Sequence, residues 1–116
     1  MADRQAEQYV DQTTGLSRVR GNVALYARML GMFLESKEMA QLQESYQNKD
    51  IQAMADLSHA IKGMTGNLAL PALFEISTKL NDELKQGELN EETFAQYNEI
   101  LEATIHEAQN VQQQLQ

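Results

Sequence analysis

The sequence predicts an all-α protein: an antiparallel, up-down four-helix bundle with an additional short N-terminal helical segment. Three observations lead there. Ala, Leu, Glu, Gln, Met and Lys dominate the chain, and these residues lose least on entering a helix. One proline and six glycines are all that interrupt 116 residues. Apolar residues recur every three to four positions, in stretches separated by short polar punctuation, as expected of helices that bury one face and connect through short turns.

The elements follow in chain order. A segment around Arg4–Val19 carries Tyr9, Val10, Leu16 and Val19, with Thr13-Thr14-Gly15 expected as a break, and forms a lid on the bundle. Gly21-Asn22 is a turn or cap. From Val23 to Gln47 the positions Leu25, Met29, Met32, Phe33, Met39, Leu42 and Tyr46 predict one long helix that bends near Glu35-Ser36. Asn48-Lys49-Asp50 closes it, and Asp50 is placed to cap a helix that starts at Ile51 and ends between Thr65 and Leu68. Pro71 suits a helical first turn, where its missing N–H costs nothing; Leu73, Ile76, Leu80 and Leu84 follow before Gly87. Asn90 then caps an acidic first turn, and Phe94, Tyr97, Leu101, Ile105, Ala108 and Val111 carry the last helix.

An apolar share of 42% and this length fit one domain, residues 1–116, with a real core. The formal charge is −8, from 17 acidic and 9 basic residues, and no basic stripe interleaved with aromatics is present, which argues against nucleic-acid binding. No stretch approaches the ~20 apolar residues needed to span a bilayer, and the polar start does not resemble a secretory signal. With no cysteines there are no disulfides or thiolate sites, so a cytoplasmic protein without membrane contact is expected.

Residues 58–69 carry the chemistry. With Ile51 at 0° and about 100° per residue, Met54, Leu57, Ile61, Met64 and Leu68 fall between about 220° and 300°. His59, Lys62, Gly63, Gly66 and Asn67 fall between about 20° and 160°, opposite that stripe. His59 therefore faces solvent. Each interior glycine costs a helix about 1 kcal/mol relative to alanine, so Gly63 and Gly66 imply close approach by another surface; the plainer readings are tight helix packing, or Gly66 beginning a helix end.

An exposed imidazole can act as a general base, a metal ligand or a nucleophile. The only other histidine is His106, on the polar side of the last helix, and no His-x-x-x-His, Glu-x-x-His or cysteine pair exists, so no metal site is expected. Ser58 adjoins His59 in sequence but points about 100° away, which argues against a hydrolytic pair. The nucleophile reading fits better. A free imidazole titrates near about pH 6.5 and is mostly neutral at pH 7, able to offer a ring nitrogen to a phosphoryl group carried by a partner. Lys62, one turn on, would sit beside the resulting anion, Gly63 and Gly66 would leave room beside the ring, and Asn67 could offer an amide. No Walker or kinase glycine loop is present, so no ATP site or other cofactor is expected and the phosphoryl group must arrive from elsewhere. The methionines at 29, 32, 39, 54 and 64 are assigned to the core.

The run His59-Ala-Ile-Lys62-Gly63-Met-Thr-Gly66-Asn67-Leu68 resembles the signature of the histidine-containing phosphotransfer (HPt) domain family, in which His-x-Leu-Lys-Gly opens a similar run. Gly15-Leu-Ser-Arg-Val-Arg-Gly-Asn22, with Leu25-Tyr26, Met29-Leu30 and Phe33, is similar to the family's lead-in, so the resemblance covers roughly residues 15–87. It implies a four-helix bundle, phosphorylation of His59 on Nε2, Lys62 as charge stabiliser and Gly63 as the small residue that keeps the site open. It also implies exchange of the phosphoryl group with the aspartate of receiver domains in response regulators or hybrid sensor kinases, the partner supplying Mg²⁺. Ile61 stands in place of the commoner Leu, and Ala69 where many members carry Gly.

The expected function is thus a phosphoryl carrier, not a kinase, in a two-component phosphorelay. Two alternatives are the phosphorylatable input domain of a chemotaxis-type histidine kinase and a helical scaffold that is never phosphorylated. A monomer is expected, because the His59 face must be free. The sequence leaves open whether the chain stands alone or is the cytoplasmic C-terminal part of a membrane sensor kinase.

Overall fold

The computed structural model describes residues 4–115; Met1-Ala2-Asp3 and Gln116, the ends of the expected domain, lie outside them. Among the described residues seven helices follow one another: α1 (Arg4–Glu7), α2 (Gln12–Arg18), α3 (Val23–Leu34), α4 (Lys37–Gln47), α5 (Ile51–Leu68), α6 (Pro71–Lys85) and α7 (Glu91–Leu115). There is no strand among the described residues. The molecule is a rod of 40 × 24 × 19 Å in which α5 packs between α4 and α6, while α7 packs against α6 and α3. No helix among the described residues is long and apolar enough to cross a membrane.

The starts of the three last helices lie where the side chains dictate. Asp50 accepts from the Ala53 N–H at 3.1 Å, Pro71 opens α6, and Asn90 accepts from Glu92 N at 3.0 Å and Thr93 N at 3.2 Å. Asn22 likewise caps α3 through Leu25 N at 3.0 Å. Leu73, Ile76, Leu80 and Leu84 of α6 are all buried, and with Tyr26, Leu30, Phe33, Leu42, Met54, Ile61 and Tyr97 they form one continuous core.

The expected long helix is instead two. α3 stops at Leu34 and α4 begins at Lys37, with Ser36 extended at ψ 134° and its hydroxyl bonded to the Glu38 carboxylate. Phase explains the break. On an unbroken helix the buried residues before it (Tyr26, Ala27, Leu30, Phe33) and after it (Met39, Leu42, Ser45) would point about 130° apart, so only a break lets both sets face the core. Met32, assigned to the core, is 66% exposed, and Leu25 is 37% exposed: the core side of α3 is set by Tyr26, Leu30 and Phe33.

Thr13-Thr14-Gly15 is not a break but the middle of α2. Asp11 holds its first turn, accepting from Thr14 N at 3.2 Å and from the Thr14 hydroxyl at 2.8 Å, and the interruption falls earlier, between Glu7 and Gln12. Gly15 is buried because the Tyr26 ring lies against it; a Cβ there would sit 2.5 Å from the Tyr26 hydroxyl oxygen. The N-terminal segment is also bonded to the α5–α6 connection, Asp11 N to Ala69 O at 2.9 Å and Ala72 N to Gln8 O at 2.8 Å.

Ala69 ends α5 in the left-handed region, at φ 60° and ψ 57°, with Leu70 N returning to Thr65 O at 3.0 Å. A residue with a Cβ spends about 1–2 kcal/mol there, and glycine's greater freedom in the unfolded chain cancels part of the relief that replacing it would bring. Ala69→Gly is expected to raise the unfolding free energy by about 0.5–1 kcal/mol in urea titration. A loss instead would show that the buried Ala69 methyl contributes more by packing than its backbone costs.

Candidate functional site

The site is built on the middle of α5, and the buried arc of that helix decides which residues reach solvent. Met54, Ser58, Ile61, Thr65 and Leu68 are the buried positions, at about 260° to 340° on the wheel that starts from Ile51, so the core side is rotated towards Ser58 and Thr65. Both hydroxyls enter the core because each is satisfied by its own helix, Ser58 Oγ donating to Ala55 O at 3.1 Å and Thr65 Oγ1 to Lys62 O at 3.0 Å. Ser58 is 1% exposed, so it and His59 face opposite environments.

His59, Ala60, Gly63 and Asn67 are exposed, while Lys62 and Gly66 are half-buried. The rotation accounts for Lys62, which at about 20° lies at the edge of the buried arc towards α6. Among the described residues no hydrogen bond or ion pair engages the His59 ring or the Lys62 ammonium. A Cβ on Gly63 would meet nothing within 4 Å, so the space above this turn is open. Gly66 differs: a Cβ there would lie 3.1 Å from the Phe74 ring, which α6 lays across it. The five residues picked out by the sequence thus share one side of α5, with Gly63 beside open space and Gly66 beneath an aromatic ring that is itself 39% exposed.

Three residues at or beneath this side escape the spacing argument. Arg18 reaches from α2 and its guanidinium donates to Gly66 O. Phe74 and Arg18, with Asp11, Thr14, Thr65 and Gly66, line a cleft of about 250 Å³, two turns along α5 from His59. Asn81, fully buried on α6, donates to Ala55 O at 2.8 Å and to Ser58 Oγ at 3.0 Å, directly beneath the turn that carries His59. Only Asn81 leaves a signal in the sequence, as a carboxamide at a core position of α6 between Leu80 and Leu84.

The far end of α5 is held by Tyr26, whose hydroxyl donates to Leu68 O at 2.8 Å. Burial, with a smaller contribution from Asp11, pushes that phenol up to about 12, so it remains a neutral donor at any physiological pH. Away from the site, the hydrogen bond from Tyr46, and after it the Lys49 charge, hold the Glu91 carboxyl below the usual carboxylate range. Among the described residues no group of three or more His, Cys, Asp or Glu side chains is placed to hold a metal ion.

Chemically, the arrangement offers an unengaged imidazole on a helix, a cation one turn away and an open approach over Gly63. A model of the Hpt domain family matches residues 28–114, which takes in α4 to α6 whole, the second half of α3, nearly all of α7, and His59 with its surroundings. Neither the curated proteins nor the solved structures contain a match to the chain. The chain belongs to the Hpt domain family, the histidine phosphotransfer domains of phosphorelays.

Proposed function

We propose that this domain accepts a phosphoryl group on His59 and passes it to the aspartate of a receiver domain. The observation that carries this reading is the exposed, unengaged His59 ring beside the open space over Gly63, in a chain of this family. In the forward step the Nε2 lone pair attacks the phosphorus of an aspartyl phosphate. The N–P bond forms, the P–O bond to the aspartate breaks, the carboxylate leaves as an anion, and the proton on Nδ1 stays on the ring. The receiver brings the Mg²⁺ that neutralises the moving charge. The His59 face must be free for this, which favours a monomer.

Incubation with a phosphorylated receiver domain and Mg²⁺, followed by intact mass, tests the proposal. The expected result is the gain of one phosphoryl group that is lost in acid and kept in base. No gain across a panel of receivers would overturn it; acceptance from a kinase ATP-binding module alone would favour a chemotaxis-type input domain, and acceptance from neither a scaffold.

Lys62 is the proposed charge stabiliser. A unit charge pair at about 4 Å is worth roughly 1 kcal/mol in water and 4 at an effective dielectric of 20, and Lys62 is half-buried between these limits. Lys62→Ala is expected to slow transfer about tenfold, corresponding to ~1.4 kcal/mol, without altering the fold. Unchanged rates in both directions would remove Lys62 from the site.

A further inference from the structure

Asn81 presents a polar arrangement that core packing alone does not account for. Its side chain is fully buried between α5 and α6, and its amide nitrogen donates to Ala55 O at 2.8 Å and Ser58 Oγ at 3.0 Å. The orientation is dictated by chemistry, since Ala55 O can only accept and the carboxamide must turn its NH₂ towards it. The other end of the carboxamide, Oδ1, is then left buried without a partner. A leucine would fill the same space without that loss, so stability by itself does not select this residue.

What the amide grips is specific. In the i→i−4 ladder of α5, Ala55 O is the acceptor of the His59 backbone N–H. The Ser58 hydroxyl also donates to Ala55 O, at 3.1 Å, so Asn81 Nδ2, Ala55 O and Ser58 Oγ close a triangle of hydrogen bonds. The triangle ties the turn from Ala55 to His59 to the middle of α6. This turn precedes Gly63 and Gly66, where α5 lacks side chains that would stiffen it. The His59 ring is exposed and, among the described residues, no side chain is hydrogen-bonded or ion-paired to it, so its aim at a partner depends on where the backbone places its Cα–Cβ bond.

We infer that Asn81 is a positioning residue for His59: from α6 it fixes the turn that presents the imidazole to the incoming phosphorus. The inference rests on the proposed phosphoryl transfer, in which a misplacement of about 1 Å can cost on the order of 100-fold in rate. Asn81 touches neither the phosphoryl group nor the ring and acts through the Ala55 carbonyl and Ser58.

Asn81→Leu tests this in the full chain, with two readouts that a purely structural role would not move together. Exchange of the His59 backbone amide hydrogen, followed by NMR, is expected to speed up about tenfold relative to its α5 neighbours while thermal stability is kept. Transfer from a phosphorylated receiver is expected to lose about tenfold in kcat, with KM within about twofold of the wild type. Both changes are required; wild-type exchange or wild-type kcat overturns the inference. If Asn81→Leu does not fold, Ser58→Ala, which removes one corner of the triangle and leaves only a hydroxyl-sized gap, is judged by the same readouts with expected changes of about threefold. The exchange measurement needs no phosphoryl chemistry. A wild-type protein that accepts no phosphoryl group would therefore sink the proposed function, while His59 exchange would still decide the tether.

Discussion

His59→Gln is expected to lose phosphoryl acceptance completely while the domain stays folded. The imidazole offers a ring nitrogen with a free lone pair, whereas the glutamine amide nitrogen has its lone pair delocalised into the carbonyl and is no nucleophile. His59 is exposed, and no hydrogen bond or ion pair among the described residues engages its ring, so the replacement removes no packing and leaves no buried group unpaired. The change in unfolding free energy should stay within about 0.5 kcal/mol, as for surface substitutions generally. Intact mass after incubation with a phosphorylated receiver, alongside thermal melting by circular dichroism, checks both halves. Acceptance that persists would move the acceptor to His106, the second of two histidines and exposed on α7. Loss of the fold would mean that His59 supports the helix, contrary to its exposure.

What the sequence discloses about this site is what lies on one helix. The side of α5 that carries His59, Lys62, Gly63, Gly66 and Asn67 follows from 100° per residue, and the starts of α5, α6 and α7 follow from Asp50, Pro71 and Asn90, because caps act over three residues or fewer. Partners from elsewhere do not follow. Arg18 meets Gly66 across 48 residues and Asn81 meets Ala55 across 26, and no spacing rule reaches that far. Gly66 shows the limit well: its lack of a side chain was legible, but that Phe74 fills the space was not. The break at Ser36 was legible in principle. Apolar residues every three to four positions continue through it, yet the mean direction of Leu25, Met29, Met32 and Phe33 differs by about 90° from that of Met39, Leu42 and Tyr46, and only angles, not spacings, reveal that.

Gly15→Ala should destabilise the domain by about 2 kcal/mol, although alanine is the better helix former. In a solvated helix the exchange would gain about 1 kcal/mol. At this position the new methyl would lie 2.5 Å from the Tyr26 ring and from its hydroxyl oxygen, well inside van der Waals contact. The ring cannot retreat freely, since it is fully buried and its hydroxyl is held on Leu68 O at 2.8 Å. Overpacking of this kind costs about 1–3 kcal/mol, and moving Tyr26 off Leu68 O costs about 1 more, which together exceed the gain in propensity. The alternative relief, α2 lifting away, would break the contacts of Arg18 with Gly66 O and of Asp11 N with Ala69 O, and so arrives at a similar loss by another route. Urea unfolding of Gly15→Ala, Tyr26→Phe and the double variant separates the two. Direct collision with the hydroxyl predicts that Tyr26→Phe relieves part of the cost of Gly15→Ala, whereas lifting of α2 predicts that the two costs add. A gain of stability in Gly15→Ala would remove the Tyr26 contact from the account of why glycine stands there. Phosphoryl acceptance should survive in the folded fraction of every variant, because the triangle of Asn81, Ala55 and Ser58 anchors the His59 turn to α6, away from the end of α5 that the N-terminal segment holds.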